Sequence, residues 1–200
     1  MKKYFYIIAS LVFIFLVTTS FVHKDLNEYG KWLKFYNLQD EDFKQVGSDK
    51  KEKLEWKPYE LTNEGAKEYT PLFFYSSDST YFLDVDSYNL VLDKDANGKM
   101  LIWQGGDPED KAQIVRRKDS SACVLLFFGT DGNAETSIWR NNSLFEILGF
   151  TISDNKFIPT IWKYDLSNNT SKIFESTKTF EASHKTYLYE VRLKAFNKSK

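Results

Sequence analysis

From Pro71 onward the chain is cut, every few residues, into short runs of aromatic and β-branched side chains separated by turn-forming residues. Runs of this length are too short for ordinary helices and suit strands. They fall at Leu72–Tyr75, Tyr81–Val85, Asn89–Leu92, Met100–Trp103, Ala112–Arg117 and Cys123–Phe128. Further runs follow at Thr136–Trp139, Leu144–Ile152, Phe157–Tyr164, Ser171–Phe174 and Thr186–Leu193. Between them stand Ser76-Ser77-Asp78, Asn97-Gly98, Gly105-Gly106-Asp107-Pro108, Asp131-Gly132, Asp154-Asn155 and Ser167-Asn168-Asn169. These residues favour turns because they tolerate positive φ or hydrogen-bond their own backbone. Many short strands with short polar connections predict a mainly β fold of antiparallel sheets, packed as a sandwich, a barrel or propeller blades.

Residues 21–70 read differently. Asp25 and Glu28 have the spacing of a capping box. Leu26, Tyr29, Leu33 and Tyr36 then mark one face of a helix ending near Asn37. A second short helix is expected from Asp40 through Phe43, followed by a mixed-charge connection over residues 47–57 anchored by Leu54 and Trp56. The expected organisation is therefore a segment 1–20, a helical stretch 21–70, and an antiparallel β domain over 71–200.

Residues 1–20 carry an export pattern. Lys2 and Lys3 precede an apolar run from Tyr4 to Val17, and Thr18-Thr19-Ser20 supplies small residues where a signal peptidase cuts. Two fates fit it: cleavage, or retention as an anchor over residues 4–22, a run close to the roughly 20 residues that cross a bilayer. The destination expected is periplasmic, cell-surface or secreted. The single cysteine, Cys123, allows no intramolecular disulfide, so the exported domain relies on its core. Flanked by Ala122 and Val124, it reads as a packed thiol rather than a nucleophile.

Two segments share an order of elements. Ile114-Val115-Arg116-Arg117-Lys118-Asp119-Ser120-Ser121 leads into the apolar run ending at Phe127, and Ile161-Trp162-Lys163-Tyr164-Asp165-Leu166-Ser167-Asn168 leads to Ile173-Phe174. Ahead of these lie Ser76-Ser77-Asp78-Ser79 and Trp139-Arg140-Asn141-Asn142-Ser143. The order resembles the strand grammar of β-propeller blades over residues 71–176. Two blade-like units cannot close a ring of ~4–8 blades, so either two sheets pack face to face or the repeat is only the shared look of antiparallel hairpins. The stretch from Ser77 to Phe128 also resembles a group of uncharacterised exported bacterial proteins, which implies a shared fold and export and brings no activity or functional residue with it.

The chemistry-bearing patterns are sparse. Asp93-Lys94-Asp95-Ala96-Asn97-Gly98 matches the first half of a calcium loop, so Asp93, Asp95 and Asn97 are the candidate ligands. The twelfth position is Gln104 rather than Glu, and the same letters make a hairpin turn. No other cofactor is indicated. Asp84 and Asp86, two apart in a strand, face one side as a solvated pair, or as the paired carboxylates of a hydrolase acting on polysaccharide or peptidoglycan. His23 and His184 have no partner in sequence, and no nucleophile elbow, zinc helix or phosphate loop occurs. No catalytic residue is identified.

Aromatic residues make up 17% of the chain, and Trp103, Trp139 and Trp162 fall in or near strand ends. Rings exposed there would stack on sugars or anchor a partner; buried, they build the core. A formal net charge of −1 gives no reason to expect nucleic acid, and a membrane enters only through the N-terminal run. The expectation is a non-catalytic binding or structural protein of the bacterial envelope, with a glycan or envelope protein as partner. Self-association through unpaired sheet edges is a further expectation.

Overall fold

The computed structural model describes residues 28–61, 67–94, 96, 100–104 and 109–194. The export segment, Asp25, His23, and the turn residues Asp95 and Asn97 lie outside the described residues. Half of the chain is in strands, and every pairing among them is antiparallel. The strands are β1 (Phe43–Lys51), β2 (Lys57–Pro58), β3 (Phe74–Tyr75), β4 (Tyr81–Asp84), β5 (Leu90–Lys94), β6 (Met100–Gln104) and β7 (Asp110–Arg116). They continue as β8 (Ser121–Phe128), β9 (Gly132–Trp139), β10 (Leu144–Ser153), β11 (Lys156–Asp165), β12 (Thr170–Ser176) and β13 (Phe180–Glu181).

The larger sheet has the order β1-β12-β11-β10-β9, with β13 paired to β11. Its centre is a meander whose turns follow the sequence. Asp154 and Asn155, both at positive φ (50° and 58°), form the two-residue link between Ser153 and Lys156, as a primed hairpin turn requires. The second sheet has the order β2-β8-β7-β4-β3, and β5 and β6 form a separate hairpin. No closed barrel or propeller is present among the described residues.

Alternation along each strand divides its side chains between two apolar clusters. Phe145 and Ile147 of β10, with Trp139, Trp162 and Tyr164, meet Leu83, Ala112, Ile114, Cys123 and Phe128 of the second sheet in one cluster. Leu148 and Phe150, with Phe157 and Ile161, point the other way. That opposite face is covered by α1, a helix through residues 28–35, which buries Trp32 and is followed by buried Tyr36, and by Tyr187 near the C-terminus. Helical spacing from Tyr29 to Trp32 and Tyr36 is thus the spacing of a face laid on a sheet.

Two segments differ from the sequence reading. The connection expected over residues 47–57 is strand at both ends, over 47–51 and at Lys57. After a 3-10 turn at Asp40–Asp42, the chain enters β1 and pairs with β12, Phe43 opposite Ser176 and Lys51 opposite Thr170. Only Phe43 of β1 is buried, so an edge strand with eight exposed residues carries no hydrophobic alternation to read. Conversely, Thr186–Leu193 is no strand: Leu188–Arg192 is a π-helical turn. Its alternating Tyr187, Tyr189, Val191 and Leu193 imitate a period of two, but Tyr187 and Leu188 are both buried, in different clusters.

Candidate functional site

A cleft of about 500 Å3 opens on the face of the larger sheet beside α1. Glu146 on β10 and Lys163 on β11 sit directly opposite each other in the ladder and form its floor with Ile161. Arg140 enters from the turn after β9. That turn is fixed by Arg140 N–H donating to the Leu144 carbonyl (2.8 Å) and by Asn141 Oδ1 accepting from the amides of Ser143 and Leu144 (both 2.8 Å). Tyr29 of α1, Asp40 of the 3-10 turn, Phe43 of β1 and Phe174 of β12 complete the walls.

The charges in the cleft are locked into a pattern. Glu146 is nearly buried and divides its two oxygens: Oε2 accepts from Arg140 Nη2 at 2.8 Å, and Oε1 lies 3.3 Å from Lys163 Nζ. Each cation also rests on a ring. The Arg140 guanidinium lies 4.6 Å from the Tyr29 ring centre and Lys163 Nζ lies 4.7 Å from that of Phe174. Burial opposes the Arg140 charge, but the hydrogen bond and charge of Glu146 outweigh it and raise its pKa. Tyr29 donates its hydroxyl proton to Asp40 Oδ1. Burial first, and then that carboxylate, hold the hydroxyl well above its ordinary pKa. It therefore remains a neutral donor. Both cations keep part of their surface in the open cleft, at 31% exposure for Arg140 and 38% for Lys163.

A second, smaller cleft of about 260 Å3 lies on the outer side of the second sheet. Lys53, Glu55 and Lys57 wall it, and Gln113 and Val124 line it. Cys123 lines it too, yet the residue is 96% covered and burial pushes its thiol up, which fits a packed and unreactive group.

The remaining polar groups of note are internal. Asp84 and Asp86, expected at a solvated edge or in a catalytic pair, are both buried, because the second sheet is covered on both sides. Asp84 accepts from Tyr59 Oη (2.7 Å), Gln113 Nε2 (3.0 Å), the amides of Asp86 and Ser87 and the Ser87 hydroxyl. Asp86 forms an ion pair with Arg192 of the C-terminal turn. Burial raises its pKa to about 6 against the lowering effect of that arginine. Asp110, raised to about 7 by burial, accepts the Ala134 amide (2.8 Å) and so ties β7 to the free edge of β9. Glu135 on β9 is fully buried. It accepts from Trp32 Nε1 (2.8 Å), Tyr36 Oη (2.8 Å) and the Leu188 amide (3.4 Å), and burial carries it to about 7. Neither cleft is lined by Asp84, Asp86, Asp110 or Glu135.

Trp139 and Trp162 belong to the apolar cluster to which both sheets contribute, with 6% and 4% exposure, and neither presents a ring to solvent. Trp139 Nε1 donates to the Phe74 carbonyl at 2.9 Å. Trp103 lies on β6, opposite Val91, and its side chain is outside the described residues. Asp93 is exposed on β5, opposite Leu101, at the closing end of the hairpin. Among the described residues no group of three or more His, Cys, Asp or Glu is placed to hold a metal ion. His184 packs against Phe180, with ring centres 4.7 Å apart.

The residues of the larger cleft were not singled out by sequence. Arg140 and Lys163 stood in the blade-like segments and Glu146 in the run Leu144–Ile152, with no role read for any of them. A cross-strand ion pair is written in two distant segments, and only the register joins them. A search of protein families, curated proteins and solved structures finds no match to this chain.

Proposed function

We propose that the protein is a non-catalytic saccharide-binding protein of the bacterial envelope, working through the cleft between α1 and the larger sheet. The observation that carries this reading is the cleft itself. Its size falls in the range of small-ligand sites, and aromatic and aliphatic walls surround a few fixed polar groups. A concave site of this kind suits a sugar unit better than the broad surface of a protein partner. The N-terminal basic and apolar pattern supports export, and the resemblance to exported bacterial proteins points the same way. We also infer that the two larger sheets pack as a sandwich rather than as blades, supported by the one apolar cluster they share.

An exported hydrolase acting through Asp84 and Asp86 has less support. Both carboxyl groups are buried away from the two clefts, Asp84 among internal donors and Asp86 against Arg192. The test is two-dimensional NMR of the protein titrated with fragments of bacterial envelope polysaccharide. Shifts clustered at Tyr29, Arg140, Lys163 and Phe174 are expected. Shifts confined to other surfaces, or none with any fragment, overturn the reading.

A further inference from the structure

We infer that the ligand of this cleft is a saccharide bearing a carboxylate, its acid group held between Arg140 and Lys163 and a hydroxyl donating to Asp40. This rests on the reading of the cleft as a saccharide site and adds the chemical class.

The argument begins with donors. A guanidinium carries five N–H groups, and Arg140 commits only Nη2 to Glu146 among the described contacts. Lys163 has three N–H groups and, among the described residues, one ion-paired carboxylate, at 3.3 Å. Both side chains are held in place by more than that carboxylate, because each lies on an aromatic ring. The cations are thus set on either side of Glu146 before any ligand arrives, which lowers the entropy lost on binding. The strip Arg140–Glu146–Lys163 carries one net positive charge, since Glu146 neutralises only one of its two neighbours. A planar carboxylate is the natural complement to a guanidinium with open N–H groups.

The rest of the cleft asks for donors. Asp40 Oδ1 is taken by Tyr29, which leaves Oδ2 as an acceptor at the rim. A sugar acid supplies both needs at once, a carboxylate at one end and hydroxyl donors along its ring. A simple anion such as acetate supplies only the first, and a neutral sugar only the second.

Calorimetric titration with a glucuronate oligosaccharide, against a glucose oligosaccharide of equal length, tests the assignment. The acid should bind about tenfold more tightly at low salt, the worth of one charge-assisted hydrogen bond, and lose that advantage as salt is added. Lys163→Gln should reduce the preference for the acid severalfold. Glu146→Gln should strengthen acid binding, because it removes the buried anion that competes for both cations; a purely structural ion pair predicts weaker binding of both sugars instead. Equal affinity for both sugars in the wild-type protein, or an unchanged preference in Lys163→Gln, overturns the carboxylate assignment while leaving saccharide binding intact. If neither these sugars nor any envelope fragment binds, the functional reading itself falls. Lys163 is partly exposed, so its variant stays informative even if Glu146→Gln does not fold.

Discussion

Glu135 is a carboxyl group that the fold surrounds with three hydrogen-bond donors yet prefers to keep protonated, and this makes the stability of the protein depend on pH in an unusual direction. Its pKa rises from the ordinary 4.5 to about 7 in the folded chain, because burial outweighs the donors from Trp32, Tyr36 and Leu188. Below about pH 4.5 the group is protonated whether the chain is folded or not, and it exacts no penalty. Between about pH 4.5 and 7 the unfolded chain gives up this proton while the folded chain keeps it, so the contribution to stability is lost across that window and is gone once pH passes the folded pKa. At about 1.4 kcal/mol per pKa unit, the loss is roughly 3 kcal/mol by pH 8. Glu135→Gln keeps the shape and one acceptor and removes the ionisation. Urea unfolding followed from pH 4.5 to 8 should therefore show the wild-type stability falling more steeply than the variant's, with the two curves differing in net change by about 3 kcal/mol. Because Asp86 and Asp110 are shifted in the same direction, both proteins should still decline with pH. Parallel curves would refute the reasoning, since they would mean that Glu135 sits in the folded chain with an ordinary affinity for its proton.

Other perturbations test the packing. Gly149→Ala places a Cβ 2.1 Å from the Asn133 carbonyl oxygen and 3.0 Å from Ala134 Cα, beside the register shift between β9 and β10. Backbone cannot yield cheaply there, so about 3 kcal/mol and a Tm lower by roughly 6–12 °C are expected, against almost no change for Gly129→Ala, which meets nothing within 4 Å. Arg192→Met strands the buried Asp86 carboxylate and should cost about 3–5 kcal/mol at pH 8, partly recovered at pH 5, where Asp86 takes up a proton; equal losses at both pH values would count against the pair. Cys123 should react with a thiol reagent only as fast as the chain opens, so a native-state rate matching that of a free thiol would show the residue to be exposed.

The β meander was legible because its strands alternate or run apolar and its turns use residues suited to positive φ, as at Asp154-Asn155. What escaped lacked a local signature. Strand β1 is held by its pairing with β12 and offers one buried side chain. The C-terminal turn alternates like a strand because two different clusters claim its neighbouring residues. Glu135 lies between the turn at Asp131-Gly132 and the run Thr136–Trp139, where no pattern marks it as internal; only the arrival of α1 and the C-terminal turn over β9 makes it so. The cleft escaped for the same reason, since four strands, a helix and two turns contribute to it and none is unusual alone.

The pairing of β1 with β12 also bears on how the molecule is made. The first strand of the larger sheet finds its partner only when residues 170–176 have emerged, after the whole meander. Until then the edge of the sheet is unfinished, and the chain must close its longest loop between paired strands before that ladder repays it. Completion of the larger sheet is therefore deferred until the C-terminal part of the chain is available, however early its N-terminal strand is made.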